Sequence, residues 1–521
     1  ADGVPVSEFD RIVLRNGAND REYEGVRFEL SQKLAQDYGY PVTQHCTPAA
    51  VFLNGEYYGY SWVHENYNED YLATYFGGNK DNYEIVSNIE DADEGSERAL
   101  EDYGKLYAYY DRDLTDDSTF AEYCGLVDID NLMQYYCMQV FIANKDWPGN
   151  NYKAFRYYPS EGEEITSEFQ DGRWRFMFFD AEYAWSLYGD RPNADTLRDL
   201  LSGTHMSGES KALIALLARE DMREKFAATM SDLTANAFEK NHILETLDEL
   251  CAMSDSEQFY ALDKGITSEW ANRETFANSR QQIRDFADIR EYVVFRNMYK
   301  LFEWEKNTYT VSVTGAGGAV TTLNTQKRNG RGILSAEYNC KCTVPLKAEI
   351  ADGWEFVSWE INGVTYDTPE VELNARTAGT DGRIIAKLNT KLSETTDAPL
   401  QIKEISTAKK AGYIVLYNPN STEVSTAGLY ITDKPEKLDR WEIPARSVPA
   451  YGELLIVTDN NKTESALHQL QANFSLKKGE TLILSDNGGN ILAEVPVPDI
   501  PEGSVYALQD YGQYRAVPSA D

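Results

Sequence analysis

The sequence predicts an α+β domain followed by two all-β modules, and three observations carry that reading. At 521 residues the chain has room for about three domains of roughly 100–200 residues each. Its hydrophobic pattern changes near Lys306, from the 3.6-residue spacing of helices to the alternation of strands. Charge changes there too: residues 1–305 carry 58 acids and 28 bases, whereas the remainder carries 27 and 21. With 42% apolar residues and 12% aromatics, substantial cores can be buried and wholesale disorder is excluded.

Taken in order, the first domain shows two short strands, at 49–53 and 57–63, joined by Asn54-Gly55-Glu56. Asn-Gly between apolar runs signals a hairpin, because both residues tolerate positive φ. Residues 84–130 hold 15 acids against 3 bases and read as a solvated helical face. Helices are predicted over 210–233, with Leu213, Ile214, Leu216, Leu217 and Phe226 on or near one face, and over 270–301, with Phe276, Ile283, Phe286, Ile289, Val293 and Met298. Beyond Lys306, strands are predicted at 309–313, 342–348, 356–361 and 383–388. The cluster Gly315-Ala316-Gly317-Gly318 joins strands and opens no helix, so it reads as a turn and a poor phosphate cradle. A polar linker at 391–399 leads to a second β unit, with strands at 402–405, 413–417, 452–458, 481–485 and 491–495.

The net charge of −36 makes nucleic acid and anionic lipid poor partners. No apolar run approaches the roughly 20 residues that span a bilayer. Residues 1–11 show neither a basic nor an apolar signal region, so an export signal is expected to have been removed or to lie upstream. Six cysteines are too few for a disulfide scaffold. Cys340 and Cys342 are expected on one strand with both side chains on one face, as buried or free thiols. With five histidines in the chain, zinc partners are scarce.

Several catalytic signatures are missing. His64-Glu65 has no second histidine in register, and there is no G-x-S-x-G elbow and no phosphate-binding P-loop. One stretch stands out. Asp146 is followed five residues later by Asn151, and Asp180 ends the aromatic run Trp174-Arg175-Phe176-Met177-Phe178-Phe179 after an acidic insertion at 161–168. Such a set suits metal-assisted phosphoryl transfer: one carboxylate takes the acceptor's proton, while the amide oxygen and the second carboxylate hold Mg²⁺ or Mn²⁺. Taken alone, the D-x4-N spacing is weak, since Asp and Asn also favour turns.

At these residues the chain resembles the CotH family of atypical protein kinases. The matching pieces are Leu14-Arg15-Asn16-Gly17-Ala18-Asn19-Asp20, the helix at 26–34, Val51-Phe52-Leu53-Asn54-Gly55-Glu56-Tyr57-Tyr58-Gly59-Tyr60, Glu65, Asn144-Lys145-Asp146-Trp147 with Asn150-Asn151, and Phe178-Phe179-Asp180. The resemblance implies a kinase-like fold over 1–305, with ATP and Mg²⁺ or Mn²⁺ as cofactors. It implies Asp146 as the catalytic aspartate, and Asn151 and Asp180 as metal ligands. Glu65, ending the strand into the interlobe hinge, is the implied nucleotide-side residue. The family tends toward D-x-D where this chain has Asp180-Ala181-Glu182, so Glu182 is the third implied metal ligand. The family's upstream lysine-bearing strand precedes the region matched here, so this chain is expected to phosphorylate weakly.

The module at 306–392 contains Gly353-Trp354-Glu355-Phe356-Val357-Ser358-Trp359, preceded by Asp352, and is similar to bacterial surface β-repeats. The module at 393–521 resembles a lamin-tail domain, an immunoglobulin-like sandwich, through Ile402-Lys403-Glu404-Ile405, Leu416-Tyr417-Asn418-Pro419, Gly428-Leu429-Tyr430-Ile431-Thr432-Asp433 and Phe474-Ser475-Leu476. These likenesses imply a secreted or cell-surface protein whose acceptor is an extracellular or envelope protein. Two alternatives accompany that reading: a non-catalytic adhesion or structural protein with a kinase-like domain, and cell-surface carbohydrate binding through the β modules. Trp354, Trp359 and Trp441 are candidates for sugar stacking, but core packing is the expected role of aromatics at strand positions.

Overall fold

A computed structural model describes residues 9–23, 25–88, 91–189, 192–202, 208–267, 270–351, 353–392, 399–408, 412–458, 470–501, 503–509 and 513–519. The expected linker falls, from 393 to 398, outside these residues, as does Asp352. The chain divides into two compact units, residues 1–308 with 336–342 and residues 309–335 with 343–521.

In the first unit, β1 (Ile12–Arg15), β2 (Cys46–Leu53) and β3 (Glu56–Glu65) form an antiparallel sheet in the order β1-β3-β2. Asn54 and Gly55 take φ values of 52° and 86°, so the expected hairpin turn forms with Leu53 opposite Glu56. Helix α1 (Arg27–Tyr38) is buried through Phe28, Leu30, Leu34 and Ala35. After α2 (Glu69–Phe76), a second antiparallel sheet runs β5-β4-β6-β7, from β4 (Tyr83–Ser87), β5 (Asp91–Glu94), β6 (Lys153–Tyr157) and β7 (Arg175–Met177). The acidic 84–130 stretch supplies β4, β5, α3 (Glu97–Ala108) and α4 (Asp117–Cys124).

Helix α5 (Ile129–Ile142) starts on Asp128, whose carboxylate accepts from the backbone of Asp130 and Asn131 at 3.1 Å each. Apolar residues surround it, and Leu132, Tyr135, Tyr136, Met138 and Phe141 are all buried, which makes it a core helix. Helices α6 (Thr196–Leu201), α7 (Gly208–Leu217), α8 (Glu220–Ala235), α9 (Lys240–Asp263) and α10 (Arg273–Phe302) complete the unit. The single helix expected over 210–233 is broken between α7 and α8. Arg219 is extended there (φ −87°, ψ 139°), and its guanidinium donates to the Leu114 carbonyl at 3.1 Å and to Asp117 and Asp221. The helix expected from 270 instead starts at Arg273, because Asn272 caps it by accepting from the Thr275 N–H at 2.9 Å.

The second unit is β-rich: among its described residues the helical content is one turn, Gly379–Asp381. Thr308–Thr314 pairs in parallel with Arg383–Leu392, which pairs antiparallel with Trp354–Ile361. A further six-stranded sheet contains Gln401–Ser406, Tyr413–Tyr417 and Glu453–Val457, and a four-stranded sheet contains Leu429–Thr432 and Thr481–Asp486. Ile402, Ile414, Leu416, Ile431, Leu482 and Leu484 from these two sheets share one core, so the sheets form a sandwich. Trp354 and Trp359 are buried and donate to the carbonyls of Ala427 (2.7 Å) and Pro369 (3.1 Å), and Trp441 packs against the sandwich core. Core packing is therefore their role.

Among the described residues the six cysteines form no disulfide. The expected shared strand face for Cys340 and Cys342 is corrected: both lie in the turn before Val344–Ile350, where Cys340 is exposed and Cys342 buried. The Cys342 N–H closes that turn on the Asn339 carbonyl at 2.8 Å.

Candidate functional site

Helix α5 delivers the first part of the site. It ends at Ile142, and Ala143 takes a left-handed conformation (φ 55°) that turns the chain away from the helix axis. Its last carbonyls all find donors: Gln139 from the Asn144 N–H (3.3 Å), Val140 and Phe141 from the Arg290 guanidinium (2.6 Å each), and Ile142 from the Trp185 N–H (3.0 Å). Arg290, on α10, is buried and also donates to the Ala194 carbonyl and the Thr196 hydroxyl at 2.9 Å. One cation thus holds the exit of α5 to the segment that opens α6.

The loop that follows is held by its own side chains. The buried Asn144 amide donates to Gln139 at 3.0 Å and accepts from the Asp146 N–H at 3.3 Å. Trp147 is buried beside Tyr135 and Tyr136, with ring centroids 5.8 and 5.7 Å away. Asn151, left-handed at φ 62°, donates its side-chain amide to Asp146 Oδ2 at 2.7 Å, and Asn150 reaches Oδ1 at 3.4 Å. The D-x4-N spacing is therefore a direct hydrogen-bonded pair.

A second cluster surrounds Asp180. In the β6–β7 ladder Lys153 faces Met177, so Asn151, two residues before Lys153, and Asp180, three after Met177, leave the same end of the sheet. The Lys145 N–H donates to the Tyr183 carbonyl at 3.0 Å and ties the Asp146 loop to the Asp180 segment. Asp180 is left-handed (φ 48°), and Arg15 at the end of β1 makes ion pairs with both Asp180 and Glu182. Arg15 lies over the Phe28 ring at 4.4 Å, and the Lys153 ammonium lies over Phe179 at 4.8 Å. Burial opposes ionisation of Asp180, but its hydrogen bond with Glu182 and the charges of Arg15 and Lys153 hold its carboxyl below the usual range. Burial, followed by the hydrogen bond to Asp180, pushes Glu182 up to about 8.

Glu65 stands apart. It ends β3, and its carboxylate accepts from the His45 N–H at 2.8 Å and the Tyr75 hydroxyl at 2.5 Å. Among the described residues no hydrogen bond or ion pair joins it to Asp146, Asn151, Asp180 or Glu182. Beneath Arg15, Glu29 of α1 is buried against His64 at 3.0 Å, and burial raises its carboxyl above the usual range.

The oxygens of Asn151, Asp180 and Glu182 are hard ligands of the kind Mg²⁺ and Mn²⁺ take. Among the described residues there is no group of three or more His, Cys, Asp or Glu that would cage an ion. Two carboxylates and an amide fit the Mg²⁺ pattern, in which substrate phosphates and water complete the shell.

Sequence reasoning gave no role to Arg15, Lys153 or Arg290. Arg290 left a legible trace, since it interrupts the apolar stripe of Phe286, Val293 and Ile283 with a charge.

The model of the family described as CotH kinase protein matches residues 2–294. The chain belongs to the CotH kinase family. That match contains Glu65, Asp146, Asn151, Asp180 and Glu182, and it ends within α10, leaving the β-rich remainder outside. No curated protein matches the chain. The CotH match also contains Arg15, Lys153 and Arg290, so the cations found by the structure belong to the same domain.

Proposed function

We propose that the chain is a CotH-type protein kinase that transfers phosphate from ATP to an extracellular or envelope protein. The observation that carries this reading is the Asp146–Asn151 pair opening from the same sheet end as the Arg15–Asp180–Glu182 cluster. Bound Mg²⁺–ATP or Mn²⁺–ATP would supply the phosphoryl group and the charge neutralisation of its transfer. Asp146 takes the proton of the acceptor hydroxyl as the hydroxyl oxygen bonds to the γ-phosphorus and the bond from that phosphorus to the departing ADP oxygen breaks. Asn151, Asp180 and Glu182 would hold the metal. Glu65 acts at one remove, by ordering the chain that leaves β3 through His45 and Tyr75.

The boundaries 1–305, 306–392 and 393–521 are proposed as the domains, with the β modules presenting the kinase domain at a cell surface. Sugar stacking on Trp354 and Trp359 is not part of the proposal, because both rings are buried.

The test is radiolabel transfer from ATP with Mg²⁺ or Mn²⁺, read first as autophosphorylation. Incorporation that disappears in Asp180→Asn supports the reading. Incorporation that survives in Asp180→Asn overturns it, and so does an inert protein that also fails to bind Mn²⁺.

A further inference from the structure

Arg15 occupies a position that a metal ion would contest. Its guanidinium bridges Asp180 and Glu182, the two carboxylates assigned to the metal, while its Nε is buried without a hydrogen-bond partner among the described residues. The Phe28 ring supports one face of the guanidinium plane, and the charge of Glu29 acts on it as well. A guanidinium and a divalent cation cannot both sit between one pair of carboxylates, since like charges repel strongly at that separation. The planar fork of Arg, unlike the point charge of Lys, can turn from carboxylates to phosphate oxygens and keep paired hydrogen bonds. Lys153, over Phe179, remains as a second cation acting on Asp180.

We infer that Arg15 is the counter-ion of the metal carboxylates in the free protein and transfers to the nucleotide phosphates when a divalent ion replaces it. The inference rests on the kinase reading and deepens it. It supplies from β1 a phosphate-facing cation, the charge expected of the family's upstream lysine strand.

Removing Arg15 should act in opposite directions on the two ligands. Arg15→Gln leaves the carboxylates to the ion but takes a donor from the phosphates. The experiment titrates the full chain with Mn²⁺ alone, and then with ATP at saturating Mn²⁺, by calorimetry. Arg15→Gln should bind Mn²⁺ more tightly and ATP more weakly than the wild type, each on the order of tenfold, as one charge-assisted contact warrants. Arg15→Lys, which keeps the charge but not the fork, should fall between them and covers the case in which the Gln variant does not fold. A variant that loses Mn²⁺ affinity, or keeps wild-type ATP affinity, overturns the inference while leaving the metal site in place. A wild type that binds no Mn²⁺ sinks the kinase reading itself, and the inference with it.

Discussion

Asn151 donates its side-chain amide to Asp146 at 2.7 Å, and the two residues enclose one tight loop between α5 and β6. The bond orients the carboxylate from one side, and Asn150 approaches its other oxygen at 3.4 Å. Such a carboxylate is positioned before any acceptor arrives, which is the requirement for a proton acceptor in a positioning-dominated reaction.

Asp146→Asn should therefore reduce phosphoryl transfer by about 10²–10⁴-fold, the usual worth of a general base. Nucleotide binding should be retained, because the assigned metal carboxylates are untouched. Transfer rates and an ATP titration on the same protein separate the two effects. Wild-type rates in the variant would remove Asp146 from the mechanism.

Asp180→Asn should abolish metal binding without unfolding the domain. Asp180 has φ 48°, and Asn is among the residues that best tolerate that left-handed region. An unchanged unfolding midpoint with lost Mn²⁺ binding is the expected pair of results. A large fall in the midpoint would assign Asp180 to the fold instead.

Arg290→Met should destabilise the first unit by about 2–4 kcal/mol, because the Val140 and Phe141 carbonyls and their neighbours lose a charged donor. For a unit of this size the unfolding midpoint should fall by roughly 3–6 °C. Arg290→Lys should recover only part of the loss, since a single ammonium cannot serve carbonyls on both α5 and the 192–194 segment. Thermal unfolding of both variants checks this.

Asp171 anchors β7 through Arg175, which is buried and also pairs with Asp128 at 2.9 Å. Burial opposes its ionisation, but the hydrogen bonds from Arg175 and Arg173 outweigh it and hold the carboxyl below the usual range. A folded value below the unfolded one stabilises above the unfolded pKa, about 3.9, and the gain is lost as pH falls through the folded value. Asp171→Asn should thus lower the unfolding midpoint at pH 6–7. That difference should shrink toward zero below about pH 4. A difference that is constant with pH would mean that the charge is not what Asp171 contributes.

Local signals made much of this protein legible. Asn54-Gly55 specifies its hairpin because a two-residue turn needs positive φ at both positions. The spacing of Phe276, Ile283, Phe286, Val293 and Met298 specifies α10, since burying that face is favourable in any context. Asp146, Asn151 and Asp180 were readable as a candidate base and candidate oxygen ligands from residue type, spacing and family likeness. Tertiary structure decided what local pattern does not encode. The break at Arg219 sends its guanidinium to partners about 100 residues earlier in the chain. Asp180 and Glu182 acquire Arg15 from 165 and 167 residues away, and Arg290 finds the α5 carbonyls about 150 residues back. By itself, then, the sequence determined α10, the hairpin and the candidate chemistry, because each depends on neighbours along the chain. Tertiary structure alone decided which cations meet those carboxylates, because an ion pair depends on distance in space and leaves no periodic trace.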